Sequence, residues 1–287
     1  MFSQLELPHH HDRAFEDFML RGIDFRTNRL IELKREKKEP KFKNKNQYYL
    51  EMANKKYFYG FYESALKYYS FVLRENPRQI DAWIGQTRVL IDLGKSEAAV
   101  FWAEKALNQL PNSDNIELVK AYALAYAGNI EQAKKLINKP VKKNELPMSW
   151  LFRGEILIKI KLGFFQKLIK PYQGIGKIGA FFCFLKALEA NPKDGLINQR
   201  IGIAYLGTNN TSLAYDHLKS SLIADPQNPL TLYCLAECYR KVGNYQYAIY
   251  YAKKAITFNP KLNAAIELLQ WLHSPYGKFI NKVRKII

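Results

Sequence analysis

Between residues 46 and 262 the apolar positions follow the three- and four-residue spacing of amphipathic helices, punctuated by small residues, glycines and prolines that keep one period. Ala65, Ala99 and Ala133 lie 34 positions apart, and after one longer gap of 47 so do Ala180, Ala214 and Ala248. Pro77 and Pro111 share that spacing, as do Pro192, Pro226 and Pro260, and Gly60, Gly94 and Gly128. Three residue types on one period predict an array of stacked helix pairs. Small residues allow close helix crossings, glycine allows a left-handed turn, and proline ends the second helix of each pair.

The units read as about 46–79, 80–113, 114–146, 147–194, 195–228 and 229–262. The last is the most regular, with Leu235, Ala236, Tyr239, Gly243, Tyr245, Ala248, Ala252, Ala255 and Pro260. In these positions the chain resembles the tetratricopeptide repeat (TPR) family over roughly three quarters of its length. The resemblance implies an all-α, right-handed α-solenoid of six TPR helix pairs. Residues 263–273 are expected to form a C-terminal capping helix over the last pair.

Outside the array lie a basic N-terminal arm, residues 1–45, and residues 263–287, the cap and a basic amphipathic tail. Within the arm, Lys34–Lys45 reads either as a solvated linker or as an anion-binding segment. In the tail, Phe279, Ile280, Val283, Ile286 and Ile287 share a helical face, with Lys278, Lys282, Arg284 and Lys285 elsewhere.

The 13 extra residues in the fourth unit form an insertion near 162–177. Phe164, Phe165, Leu168 and Ile169 fall on one face with Lys167 and Lys170 beside them, and no acidic residue occurs between Glu155 and Glu189. Two readings stand: extra turns folded onto a neighbouring repeat, or a surface that docks on a partner or an anionic membrane. Phe279, Ile280, Lys282 and Val283 would extend such a surface.

Composition narrows the function classes. The net charge of +18 implies anionic partners: nucleic acid, membrane or acidic protein. Three cysteines give no disulfide framework and suit a reducing compartment, so a cytoplasmic location is expected, with peripheral attachment at the inner membrane face as a variant. No apolar run reaches the roughly 20 residues of a membrane span.

Catalytic and metal chemistry find little support. Gly174, Gly176 and Gly179 spell a GxGxxG between two helices, without the strand a dinucleotide site needs, and read as a turn. His9, His10, His11 and Asp12 lack a second cluster, and His217 and His273 stand alone. Cys234 and Cys238, at i,i+4, read as buried small hydrophobes. No nucleophile is tied to a histidine and an acid. The expectation is no enzyme activity, no cofactor and no metal.

The family usually binds peptides on its concave face. Aligned by the repeat, the lining positions here are Leu50, Asn54, Tyr57, Phe58, Ile84, Arg88, Leu118, Tyr122, Tyr126, Leu151, Glu155, Gln199, Ile203, Tyr233, Glu237, Arg240 and Trp271. They predict a mainly aromatic and aliphatic groove for a protein segment. One TPR subclass grips chaperone C-terminal carboxylates through lysines and asparagines. The matching positions, Leu50, Asn54, Gly85, Asn115 and Val119, keep only Asn54, so that ligand is rejected. The expected function is a non-catalytic scaffold or adaptor binding a protein segment in its groove, held at an anionic membrane face or a larger assembly. The alternative is a basic helical-repeat scaffold for nucleic acid.

Overall fold

The computed structural model describes residues 45–137, 146–163 and 179–277, together with Ile280. Among them are thirteen helices: α1 Lys45–Phe58, α2 Tyr62–Glu75, α3 Ile80–Asp92, α4 Ser96–Gln109, α5 Asp114–Tyr126, α6 Ile130–Ile137, α7 Pro147–Gly163, α8 Ala180–Leu188, α9 Gly195–Gly207, α10 Thr211–Ala224, α11 Pro229–Val242, α12 Tyr245–Phe258 and α13 Asn263–His273. Each odd-numbered helix from α1 to α11 pairs with the even-numbered helix after it. The odd-numbered helices also pack on one another in chain order, which makes them the inner row of an all-α repeat solenoid. The α13 helix packs on α12 and α11.

The periodic residues do the work their chemistry suggests. Ala65, Ala99, Ala133, Ala214 and Ala248 are fully buried at the crossings, where a larger side chain would push the paired helices apart. Gly154 and Gly202 face Phe184 and Leu218 of their own partner helices at distances no Cβ tolerates. The inter-helix turns need a left-handed residue, which Gly60, Gly94, Gly128 and Gly243 supply. In the fifth unit Asn209, 34 positions before Gly243, takes that conformation at φ 58°. Helix starts are capped where the sequence offers an acceptor: Ser113, Asp194, Asn228 and Asn244 each accept a backbone N–H of the helix they precede.

The array also curls far enough to bring its first turn onto the junction of the fifth and sixth units. The Phe58 carbonyl accepts from Gln199 Nε2 at 3.0 Å and from Asn228 Nδ2 at 2.9 Å. Tyr59 donates its hydroxyl to Asp225 Oδ2 at 2.7 Å. The Phe58 ring lies against Gly195, and Gly60 against Leu230. No helix among the described residues is long and apolar enough to cross a membrane.

Candidate functional site: the inner wall

Closure changes what the inner row can offer. Of the positions aligned to the groove, Leu50, Tyr57, Ile84, Arg88, Leu118, Tyr122, Leu151, Glu155 and Gln199 are buried in the protein's own packing. These nine are core, which corrects their reading as an open lining: the curl that seats Phe58 on Gln199 removes the space a visiting segment would need. Phe58, Tyr126, Ile203, Tyr233, Glu237, Arg240 and Trp271 are half-buried, and Asn54 is exposed.

The centre of the wall is charged, contrary to the weakly charged groove expected. Glu155, on α7, accepts from Arg88 Nη2 of α3 with both oxygens at 3.1 Å, and from Arg200 Nε of α9 at 3.1 Å. Arg200 also donates from Nη1 to Asp92 Oδ2 at 2.9 Å and from Nη2 to the Tyr122 hydroxyl at 3.2 Å. Tyr57 donates to the same Asp92 oxygen at 2.8 Å. Arg88 stacks over Tyr57, Tyr122 and Phe152, its carbon Cζ 4.9 Å from the Phe152 centroid.

Two guanidiniums and two carboxylates make this cluster neutral, as its burial requires. Burial alone would weaken the proton affinity of each arginine. Glu155 beside Arg88, and Asp92, Tyr57 and Glu155 beside Arg200, more than offset that, so both stay charged above the ordinary arginine range. Burial likewise raises the phenol of Tyr122 well above its ordinary value and that of Tyr126 to about 12, with Glu155 adding to the rise at both.

The part of the wall that stays accessible lies toward the C-terminal end. Arg240 donates from Nη2 to Glu237 Oε2 at 2.7 Å and lies over the Trp271 ring at 5.4 Å. Trp271 meets Tyr245 edge-on at 5.9 Å. Burial raises the Tyr233 phenol, and the Glu237 carboxylate adds to the rise. This yields a half-buried aromatic surface with one acceptor and one donor group fixed on it.

The other candidates settle simply. Cys183, Cys234 and Cys238 are buried free thiols; burial raises Cys238 to about 12 and Cys234 further. His217 bonds Asn198 Oδ1 at 2.9 Å and stacks on Tyr205. Among the described residues no group of three His, Cys, Asp or Glu is arranged for a metal. Asn54 accepts from the Tyr69 hydroxyl at 2.7 Å, and Asn115 from Ser149 at 2.6 Å, so both carry structural bonds. Ile280 packs on the core formed by the later units. The arm, the 174–179 glycine motif apart from Gly179, and Phe164, Phe165, Lys167, Leu168, Ile169, Lys170, Phe279, Lys282 and Val283 lie outside the described residues.

Sequence reasoning missed Arg200 and Asp92. The available signal was the opposite charge of Arg88 and Glu155 in an otherwise apolar register, with Arg200 next to the aligned Gln199.

Comparison with known proteins agrees on the class. Residues 229–262 match the family model described as tetratricopeptide repeat, and the chain is a TPR-family protein, an all-α repeat solenoid of the kind used as protein-interaction scaffolds. Among solved structures it is similar to a human IFIT1 dimer with PPP-AAAA, at 18% identity and a TM-score of 0.51 over 78% of this chain and 52% of that one. It is also similar to TTC0263, a TPR protein of Thermus thermophilus, at 19% identity and a TM-score of 0.42 over 79% and 98%. YrrB, a TPR protein with an unusual peptide-binding site, gives 17% identity and a TM-score of 0.41 over 69% and 96%. No curated protein matches the sequence.

Proposed function

We propose that this chain is a non-catalytic scaffold of a reducing, cytoplasmic compartment that holds a protein segment on the open end of its inner wall. The contact surface is Ile203, Tyr233, Glu237, Arg240 and Trp271. One observation carries the reading: these side chains stay half-buried and preorganised by the Glu237–Arg240–Trp271 contacts, while the wall nearer the N-terminus is closed by its own ion cluster. Aromatic and arginine side chains held in place lose little freedom on binding, which is why interface hot spots favour them. A photo-crosslinking residue at position 233 is expected to capture a partner polypeptide, and one at buried position 122 is not. Equal capture at both positions, or capture at 233 unchanged by R240A/W271A, would refute it.

The charge of +18 favours a second reading, nucleic-acid binding. Arg88 and Arg200 are neutralised by Glu155 and Asp92, so this binding would use the outer surface. Filter binding to RNA and DNA at two salt concentrations tests it: affinity falling steeply with salt supports it, and no affinity at low salt removes it.

A further inference from the structure

The outer helices differ in one place. Counting from the buried alanine of each unit, the fifth position onward is Ser70, Glu104, Asn138, Lys219 and Lys253 in five units, and Leu185 in the fourth. Leu185 is 53% exposed, Phe181 one turn before it 59%, and Phe182 39%. Phe181 and Leu185 share one helical stripe, and Phe182 and Lys186 the next. The Phe182 ring is held edge-on against Trp150 at 6.0 Å, with Lys186 Nζ 6.0 Å above its centroid. Other outer helices expose single aromatics, Phe101 and Tyr250, as ordinary surfaces do. Only α8 among the described outer helices groups three large exposed apolar side chains.

The charge around this patch has one sign. Residues 156–188 contain six lysines and no acid. Of the two flanking glutamates, Glu155 is buried between Arg88 and Arg200, and Glu189 pairs with Lys186 at 2.8 Å. Exposed aromatic and leucine side chains within a lysine-only stretch suit a surface that is anionic outside and apolar just beneath. We propose that α8 is a membrane-docking face, with Phe181, Phe182 and Leu185 entering the headgroup boundary of an anionic bilayer. The proposal is independent of the inner-wall reading, since α8 belongs to the outer row.

The test is co-sedimentation with phosphatidylcholine vesicles, with and without 30% phosphatidylglycerol (roughly the anionic content at which polybasic surfaces bind). Wild type is expected on the anionic vesicles only. F182K/L185K brings the fourth unit to the residues used at these positions elsewhere (Lys67 and Lys135; Lys219 and Lys253). It adds two positive charges, so attraction by charge alone would strengthen, whereas loss of apolar insertion should lower the partition coefficient about tenfold. Circular dichroism checks that the variant is folded, and should it fail to fold, the labelled variants decide. An environment-sensitive dye on L185C should shift to the blue with anionic vesicles, and the same dye on F101C should not. The native thiols are buried and escape labelling. Absence of wild-type binding, binding by F182K/L185K equal to or above wild type, or equal shifts at positions 185 and 101 would each overturn the proposal. So would light scattering showing a dimer that L185K dissolves, without vesicle binding.

Discussion

Replacing Glu155 by glutamine tests the ion cluster directly. The carboxylate is almost fully buried and is shared by Arg88 and Arg200. An amide keeps the volume and one acceptor oxygen but removes the charge, and it turns an NH2 group toward guanidiniums that can only donate. Arg200 retains Asp92, whereas Arg88 is left with Met148 and the aromatic faces around it. Breaking a buried pair from one side costs about 3–5 kcal/mol, a large share of the 5–15 kcal/mol that typically holds a domain. Urea unfolding followed by circular dichroism should therefore show E155Q less stable by about 3–5 kcal/mol. Small-angle scattering of the folded variant should show expansion, because the cluster draws together α3, α7 and α9. A loss below about 1 kcal/mol, with unchanged dimensions, would mean that the carboxylate is solvated and the wall open, and the reasoning would fail.

Other outcomes follow from the packing. Gly85→Ala should destabilise by about 1–3 kcal/mol, despite the helix-propensity gain, because the new Cβ would fall 2.1 Å from Tyr69 Cζ. Gly207→Ala, with open space and no positive φ, should instead gain up to about 1 kcal/mol, and paired urea curves decide both. Burial lowers the His217 pKa below 6.5, with Asp216 opposing. The neutral ring is thus favoured in the fold: its contribution is present above pH 6.5 and is lost as pH falls through the lowered value. H217Q should flatten the decline in stability between about pH 7 and 5, and an unchanged slope would exclude this role.

The repeat was legible because it depends on neighbours. A crossing that admits only alanine, or a turn that needs a left-handed residue, marks its own position in every unit, and Asn209 shows the rule surviving a change of residue. The closure was not legible. Arg88 and Glu155 are 67 positions apart and Glu155 and Arg200 are 45 apart, and whether they meet depends on small rotations accumulated over several pairs. Aligning the inner positions identified the right face but not its curvature, so Tyr122 and Glu155 read as lining when they are core. The exposed stripe on α8 was overlooked for a related reason: an apolar residue in a solenoid reads as packing until its outward register is compared with the other units.

An open solenoid can lengthen or shorten by whole repeats, since each copy answers only to the next one. Here the Phe58 carbonyl must arrive opposite Gln199 and Asn228, and Tyr59 opposite Asp225. A copy duplicated or deleted between these points would carry the first turn past its seat and pull the arginines away from their shared glutamate. The number of repeats is thereby fixed as firmly as the stave count of a barrel, and change in this protein must come through its loops and its ends.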